Sequence, residues 1–216
     1  MTHLPHLLFI VDDDDAVRDA LEFMLEGEGY QPLSFNSADA FWHYFQQQEM
    51  VCGCLILDSR MPGISGQELQ SKLNQISSSL GIVFLTGHGD VPMAVNALKL
   101  GAVDFLQKPI DREALLTAIT QAMSHSEQLF KKQACILRYQ NLTQRERDML
   151  ALFSAGKNNI QIANELHISS RTVEVHKANL LRHLEVLTLA DMVKIYAYIE
   201  PMLDEIPPPP VRIKRK

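Results

Sequence analysis

Short apolar runs alternate with helical patterns through the first 124 residues of the chain. Four aliphatic or β-branched runs stand out: Leu7–Val11, Cys54–Leu57, Gly81–Leu85 and Ala102–Leu106. Such runs are typical of parallel strands buried on both faces. Helical spacing occupies the intervals between them, at 16–25, 37–48, 65–76, 91–100 and from 111 onward. The pattern predicts five βα units in an α/β fold, a doubly wound five-stranded parallel sheet with helices on both faces.

The last of these helical patterns continues from Asp111 to about Arg138 without Pro or Gly. A stripe of residues recurs there every seven positions: Leu115, Ala122, Leu129 and Ile136. The stripe fits either a short coiled coil or an amphipathic helix that packs on its own sheet. The sequence leaves both interpretations open.

A second, all-helical domain follows. Thr143 and Glu146 form a capping-box pattern at a helix start. Beyond Gly156, helical segments at 159–166 and 170–184 are separated by a short turn, which predicts a small helix-turn-helix domain. The sequence therefore predicts four segments: a first domain at 1–124, a helical linker at 125–138, the helix-turn-helix domain at 139–200 and a disordered, Pro-rich basic tail at 201–216.

Charge is distributed unevenly between these parts. Residues 1–124 carry 6 basic and 16 acidic side chains, whereas residues 125–216 carry 14 basic and 10 acidic ones. This asymmetry indicates a metal-binding or regulatory module joined to a nucleic-acid binder. No apolar stretch reaches the roughly 20 residues that span a bilayer, and the amino terminus lacks a basic segment followed by an apolar one. We therefore expect a cytoplasmic protein without a membrane segment.

Polar residues follow the predicted strands at one edge of the sheet. Asp12 and Asp13 end the first run, Asp58 ends the second, Thr86 follows the third, and Lys108 follows the last. The carboxyl ends of parallel strands meet at one edge, so these side chains should converge. Three carboxylates repel one another unless a cation lies between them, and oxygen ligands favour Mg²⁺. The sequence predicts a phosphoryl-transfer site.

Cysteine and histidine add little to this prediction. Cys52 and Cys54 could form a metal or redox pair, but they lead into a buried strand, where Cys behaves as a small apolar residue. His3 and His6 leave open a surface metal pair. His176 is more typical of helix packing or of a phosphate contact than of a metal ligand.

The first 124 residues resemble the receiver domain of two-component response regulators, through Val11-Asp12-Asp13-Asp14, Asp58, Thr86-Gly87 and Lys108-Pro109. The resemblance implies strand order 2-1-3-4-5, and it identifies Asp58 as the acceptor of a phosphoryl group from the histidine of a sensor kinase. It implies Mg²⁺ bound directly by Asp13, mainly through water by Asp12, and by the carbonyl of Arg60. Lys108 should pair with the phosphoryl group and precede a cis proline. Asp14 and Asp15 should begin the next helix.

The second domain resembles the LuxR-type DNA-binding domain, through Leu142-Thr-Gln-Arg-Glu, Asn159-Ile-Gln-Ile-Ala and Ser169-Ser-Arg-Thr-Val-Glu-Val-His. The whole chain is thus similar to the NarL/FixJ family, especially its FixJ branch. The resemblance implies a transcription activator that binds double-stranded promoter DNA and acts with RNA polymerase. Ile160 departs from the family, which often has a basic residue there, so a DNA-backbone contact at that position is in doubt.

The second helix of this motif presents two kinds of side chain. Apolar residues should face the domain core: Val173, Leu180 and Leu184. Four residues then face outward: Glu174, Val175, Lys177 and Ala178. Val175 could pack on a thymine methyl group, and Glu174 could either accept a hydrogen bond from cytosine or pair with a neighbouring cation on a solvated face. Phosphates could be held by Arg171, Thr172 and Lys177. The helix at 189–199 resembles the family's dimerisation helix, although its apolar residues must also cover the small core.

A phosphoryl group on Asp58 should draw Thr86 inward and let the ring of Phe105 turn from an exposed to a buried position. The face formed by residues 91–122 would then be remodelled into the interface of a homodimer. Its expected contacts are Val91, Pro92, Val95, Leu115 and Leu116, although some of these residues could instead belong to the core.

Two other functions fit the sequence less well than a phosphorylation-switched DNA binder. A phosphatase of the haloacid dehalogenase type needs a second acid two residues after the nucleophile, where this chain has Arg60. We therefore expect no enzyme activity beyond the protein's own phosphorylation and slow self-dephosphorylation. A receiver that serves only as an interaction module would show a gap in the acidic pocket, and the sequence shows none.

Overall fold

The computed structural model describes residues 6–48, 50–87 and 91–203. The chain forms two compact units, with the boundary between Phe130 and Lys131, inside the segment predicted as a linker. His3 and the predicted tail from residue 204 onward lie outside the described residues. Within those ranges, no helix is both long and apolar enough to cross a membrane.

In the described part of the first unit, five parallel strands form one sheet in the order β2-β1-β3-β4-β5, which confirms the predicted topology. The strands are β1 (Leu7–Val11), β2 (Pro32–Phe35), β3 (Gly53–Asp58), β4 (Gly81–Thr86) and β5 (Asp104–Gln107). The helices are α1 (Asp15–Gly27), α2 (Ala38–Phe45), α3 (Gly66–Gln75), α4 (Val91–Lys99) and α5 (Arg112–Gln140). The last ten residues of α5, from Lys131, belong to the second unit.

Successive residues of β1 and β3 are buried on opposite faces of the sheet. Phe9 and Leu55 pack with side chains of α2 and α3, whereas Ile10 and Ile56 pack with side chains of α1 and α5. All four are fully buried. Because helices cover both faces, the central strands β1, β3 and β4 are apolar along most of their length rather than at alternate positions.

Cys54 belongs to the core between the sheet, α1 and α5. Its thiol is free, as is that of buried Cys52. Burial raises the pKa of Cys54, which disfavours the thiolate that metal binding or redox chemistry needs. Cys54 therefore packs as a small apolar residue.

Two side-chain amides of α3 hold the C-terminal end of α4. Gln70 Nε2 donates to the carbonyl of Ala97 at 2.9 Å, and Asn74 Nδ2 donates to the carbonyl of Leu100 at 2.8 Å. The last carbonyls of a helix have no partner within the helix. The Ala97 carbonyl also accepts from the amide of Ala102, so Gln70 gives it a second donor, and Asn74 gives a donor to the Leu100 carbonyl. The two bonds attach the C-terminal end of α4 to α3.

The heptad stripe of α5 packs inside the two units. Leu115 and Ala122 are fully buried beside the sheet of the first unit. Ile136 packs against the core of the second unit. These contacts favour the amphipathic-helix interpretation of the stripe over the coiled coil.

The described part of the second unit is helical: α6 (Gln144–Ser154), α7 (Asn159–Glu165), α8 (Ser170–His183), α9 (Leu189–Ile199) and a 3-10 turn (Glu200–Met202). The predicted capping box is present, with the amide and hydroxyl of Thr143 donating to Glu146 Oε2 at 2.9 and 2.8 Å. Ser169 Oγ accepts from the amide of Thr172 and begins α8. Two short helices, α7 and α8, are joined by a short turn, which confirms the predicted helix-turn-helix.

Candidate functional site

Side chains from three strand ends meet at the carboxyl edge of the sheet. Asp12 follows β1, Asp58 ends β3, and Lys108 follows β5. The ammonium Nζ of Lys108 lies 2.5 Å from Asp12 Oδ2 and 2.8 Å from Asp58 Oδ1. Residues that are far apart in the chain thus form one ion cluster, as the parallel sheet predicts.

Main-chain groups fix the second oxygen of each carboxylate. Asp12 Oδ1 accepts from the amide of Asp14 at 3.1 Å, and Asp58 Oδ2 accepts from the amide of Arg60 at 2.7 Å. The amide of Lys108 donates to the carbonyl of Thr86 at 2.7 Å, and the Lys108–Pro109 bond is cis, as the resemblance implies. Both oxygens of each carboxylate are therefore held in place.

The start of α3 lies directly against the phosphoacceptor candidate. A Cβ added to Gly66 would stand 2.3 Å from the carbonyl oxygen of Asp58 and 2.9 Å from the ring of Phe84. Neither contact is sterically possible. Glycine at this position therefore lets α3 begin close behind the end of β3.

Two buried carboxylates share one ammonium in this cluster. Asp12 is 1% exposed and Asp58 is 6% exposed. Burial raises the pKa of Asp12, and the hydrogen bonds from Lys108 and Asp14 offset only part of that effect. Burial by itself lowers the pKa of Lys108, but its bonds to both carboxylates raise that pKa by more than burial lowers it. The net pKa lies above the usual lysine value, so the ammonium stays charged. The cluster retains excess negative charge, which favours a second cation.

The predicted convergence of three carboxylates is not seen. Asp13 is exposed, and within the described ranges no three His, Cys, Asp or Glu side chains group as metal ligands would. Lys108 supplies a positive charge between Asp12 and Asp58, so these two carboxylates meet without a metal ion. The role of Asp13 as a Mg²⁺ ligand stays a prediction. Asp14 caps α1 by accepting from the amide of Ala16, and Asp15 begins the helix, as predicted.

Thr86 and Phe105 occupy neighbouring strands beside the cluster. Thr86 ends β4 and is 1% exposed. Phe105 is half-buried, and its ring centroid lies 6.1 Å from that of Phe84, the residue opposite it in β4. The ring thus lies at the border between core and surface. Its rotation on phosphorylation stays a prediction.

The predicted dimer face is only partly exposed. Val91, Pro92 and Val95 lie on the surface of α4. Leu115 is fully buried, and Leu116 is half-buried against the same core. The assignment of Leu115 to a dimer face is wrong, because its side of α5 covers the sheet. Leu98, which the sequence analysis missed, is 45% exposed and shares the i, i+4, i+7 stripe of Val91 and Val95.

Helix α8 presents the predicted division between inward and outward side chains. The predicted core residues are fully buried: Val173, Leu180 and Leu184. Exposed side chains are those of Arg171, Glu174, Val175 and Ala178. Thr172 is half-buried, and its hydroxyl lies 2.8 Å from that of Ser169. The outward stripe leaves Val175 at the surface with 56% exposure.

The side chain of Lys177 is less exposed than predicted. Its side chain is half-buried, and Nζ lies 5.8 Å from the ring centroid of Phe153 in α6. The long aliphatic stem can cover apolar surface while the ammonium stays near solvent. Ile160, at the position where the resembled family often has a basic residue, is 65% exposed.

One contact at the carboxylate cluster was missed by sequence reasoning. Arg18 Nη1 donates to the main-chain carbonyl of Asp12 at 2.7 Å, and Nη2 pairs with the carboxylate of Asp15. Long side chains on a helix point back toward its N-terminus. That rule, applied to an arginine in the first turns of α1, could have predicted that it reaches the acidic segment.

Both halves of the chain match known families. Residues 8–120 match the response regulator receiver domain, and residues 140–196 match the bacterial regulatory proteins of the luxR family. The chain belongs to the response regulators. It is a transcription factor of that family with a receiver domain and a LuxR-type DNA-binding domain, and phosphorylation-dependent regulation is typical of such proteins.

Similar proteins share this arrangement over most of their length. The response regulator protein TmoT of Ectopseudomonas mendocina is 40% identical over 193 residues, which cover 88% of this chain and 87% of TmoT. The transcriptional regulatory protein FixJ of Azorhizobium caulinodans is 39% identical over 204 residues, covering 92% and 96%. The solved structure of the response regulator StyR is 41% identical, covers 88% of this chain and 98% of its own, and gives a TM-score of 0.65.

Proposed function

We propose that Asp58 accepts a phosphoryl group from a phosphohistidine of a partner sensor kinase. The observation that carries this proposal is the fixed geometry of Asp58, a nearly buried carboxylate held by Lys108 and by the amide of Arg60. A carboxylate oxygen attacks phosphorus, the phosphorus–nitrogen bond breaks, and the imidazole leaves. The product is an acyl phosphate on Asp58.

The residues around Asp58 suit the charge of this reaction. Lys108 stays protonated and can follow the oxygens of the incoming phosphoryl group. Thr86, at the end of the adjacent strand, can donate its hydroxyl to the same group. The excess negative charge of the Asp12–Asp58 pair and the hard oxygen donors fit Mg²⁺, with Asp13 and the carbonyl of Arg60 as further ligands. When bound, Mg²⁺ would neutralise charge on the phosphoryl oxygens.

The output of the switch is promoter binding in the bacterial cytoplasm. Arg171, Thr172 and Lys177 hold phosphates, and Glu174, Val175 and Ala178 face the base edges in the major groove. Phosphorylation promotes dimerisation through Val91, Pro92, Val95 and Leu98. A dimer presents two copies of α8 to two half-sites, which raises affinity without any new base contact. RNA polymerase is the expected partner at the promoter.

The proposal is tested by phosphorylation with acetyl phosphate and Mg²⁺, read by mass spectrometry of the intact protein. Wild-type protein should gain one phosphoryl group, and Asp58→Asn should gain none, because an amide cannot form the acyl phosphate. Asp19→Asn, an exposed acid on α1, is the matched control and should be phosphorylated normally. Equal incorporation in wild-type protein and Asp58→Asn would reject the assignment.

Phosphorylated wild-type protein should then bind promoter DNA more tightly than unphosphorylated protein in a gel-shift titration. Asp58→Asn should show no change on addition of acetyl phosphate. Phosphorylation that leaves DNA affinity unchanged would separate the two halves of the proposal and reject the regulatory one.

A further inference from the structure

The side chain of Arg18 contacts the main chain of Asp12. Its Nη1 donates to the Asp12 carbonyl at 2.7 Å, and its Nη2 pairs with Asp15. The arginine side chain is 13% exposed, whereas that of Asp15 is 86% exposed. A guanidinium that is buried to this extent is fixed in orientation, unlike a typical surface arginine.

The contact spans the segment that carries the acidic residues. Asp12 precedes Arg18 by almost two helical turns, and the intervening chain must turn from β1 into α1. Asp14 caps that helix and also donates its amide to the Asp12 carboxylate. From α1, Arg18 adds a hydrogen bond to the carbonyl of Asp12. Together with its ion pair to Asp15, this bond connects both ends of the segment 12–15.

We propose that Arg18 is a positioning residue of the phosphoryl site, which holds the Asp12 carbonyl so that the acidic segment is preformed for a divalent cation. The inference rests on the proposed function of Asp58. Arg18 does not touch the reacting atoms and acts through Asp12. Groups that orient metal ligands from outside the coordination sphere commonly change metal affinity by about 10- to 100-fold when they are removed.

Charge and positioning make opposite predictions for the loss of Arg18. Removal of a positive charge beside two carboxylates strengthens their attraction for a cation. Removal of a bond that orders the acidic segment weakens binding, because the segment must be ordered when the cation binds. The sign of the change in Mg²⁺ affinity therefore separates the two roles.

The test compares Mg²⁺ binding by intact wild-type protein, Arg18→Met and Arg18→Lys, measured by isothermal titration calorimetry. Arg18→Met should bind Mg²⁺ about tenfold more weakly. The Mg²⁺ affinity of Arg18→Lys should lie between those of wild type and Arg18→Met. A lysine ammonium can reach the Asp12 carbonyl but cannot also bond Asp15 as the planar guanidinium does. With acetyl phosphate, half-saturation by Mg²⁺ should shift by the same factor, while the rate at saturating Mg²⁺ stays at the wild-type value.

Arg112→Met is the matched control, because Arg112 also pairs with an acidic residue, Glu28, but its side chain is 62% exposed and does not contact the acidic segment. This variant should bind Mg²⁺ as wild type does. Arg18→Met that binds Mg²⁺ as tightly as wild type, or more tightly, overturns the inference. Should circular dichroism show that Arg18→Met is unfolded, Arg18→Lys decides, and wild-type affinity in that variant overturns the inference.

The two levels of proposal fail in different ways. Wild-type protein that neither binds Mg²⁺ nor accepts a phosphoryl group overturns the proposed function and, with it, the role of Arg18. Wild-type protein that is phosphorylated normally, together with an Arg18→Met variant of unchanged Mg²⁺ affinity, overturns the role of Arg18 alone.

Discussion

The Nδ1 atom of His183 lies 2.8 Å from Oε1 of Glu146. This contact joins the last turn of α8 to the first turn of α6, where Glu146 also accepts two hydrogen bonds from Thr143. Glu146 is 5% exposed, so its carboxylate depends on these partners. The packing of α8 against α6 is therefore coupled to the ionisation of one buried glutamate.

Acid should loosen α6 and α8 through Glu146. Burial by itself raises the pKa of this carboxyl, but the bonds from Thr143 and His183 lower it more, so the net pKa lies below its usual value. The stabilisation is thus complete above the ordinary glutamate pKa of about 4.3 and is lost as the pH falls through the lower folded-state value. Hydrogen exchange of the intact protein, corrected for intrinsic rates, should show protection of both helices falling in that range.

Glu146→Gln should remove this acid-induced step, since a neutral amide does not titrate, and should lower protection at neutral pH. Glu174→Gln, an exposed change on α8, should keep the wild-type profile. An unchanged acid profile in Glu146→Gln would show that other groups cause the loss of protection.

Lys108→Met should make the stability of the receiver depend on Mg²⁺. The change leaves Asp12 and Asp58 facing each other without a counter-ion, and breaking a buried ion pair typically costs about 3–5 kcal/mol. A divalent cation between the two carboxylates can offset that loss of unfolding free energy. The Tm of Lys108→Met should therefore be low without Mg²⁺ and rise more steeply with Mg²⁺ than the wild-type Tm. Lys99→Met, at the exposed end of α4, is the control, and an equal Mg²⁺ response in all three proteins would contradict the prediction.

A charge on the exposed stripe of α4 should prevent dimerisation without affecting phosphorylation. Val95 and Leu98 are each 45% exposed, and a glutamate at either position would have to be desolvated in an apolar interface. Sedimentation of phosphorylated Val95→Glu or Leu98→Glu should show monomers at concentrations where wild-type protein dimerises. Ile76→Glu places the same charge on an exposed apolar site at the end of α3 and should dimerise normally. Wild-type dimerisation of both α4 variants would move the interface elsewhere.

Lys177→Met should weaken DNA binding at every sequence. Methionine keeps an apolar stem against Phe153 but removes the charge, so the loss reports the phosphate contact. The slope of log K against log salt should become shallower by about 0.9, the value for one phosphate contact. Lys194→Met, an exposed change on α9 with 78% side-chain exposure, should leave the slope unchanged. A wild-type slope in Lys177→Met would assign Lys177 to packing alone.

Much of the fold followed from the sequence because buried parallel strands have an unmistakable pattern. The continuous apolar runs ending at Asp12 and Asp58 predict both the strands and the edge at which their polar ends meet. Likewise, the Thr143–Glu146 spacing predicts a helix start from local hydrogen bonding. Such features depend on neighbouring residues and need little knowledge of the tertiary structure.

Side-chain orientation was less predictable. The sequence could not show whether Leu115 faced the sheet or the solvent, since both sides of α5 carry apolar residues. Adjacent acids look equivalent in sequence, yet Asp12 is buried and Asp13 is exposed. Arg18 was missed because its partners are a carbonyl, which has no sequence signature, and a carboxylate in a run of four.

The attachment of α4 to α3 determines how α4 can move. With Gln70 and Asn74 bonded to its C-terminal end, a shift that preserves those bonds is a swing about a pivot near Leu100. The helix is a lever of roughly 13 Å at 1.5 Å per residue. A swing of about 10° would displace Val91 by about 2 Å but leave Leu98 within about 1 Å of its place. The displacement therefore decreases along the exposed stripe from Val91 to Leu98. Contacts that a partner makes at Val91 would change with the swing, whereas contacts at Leu98 would stay nearly fixed.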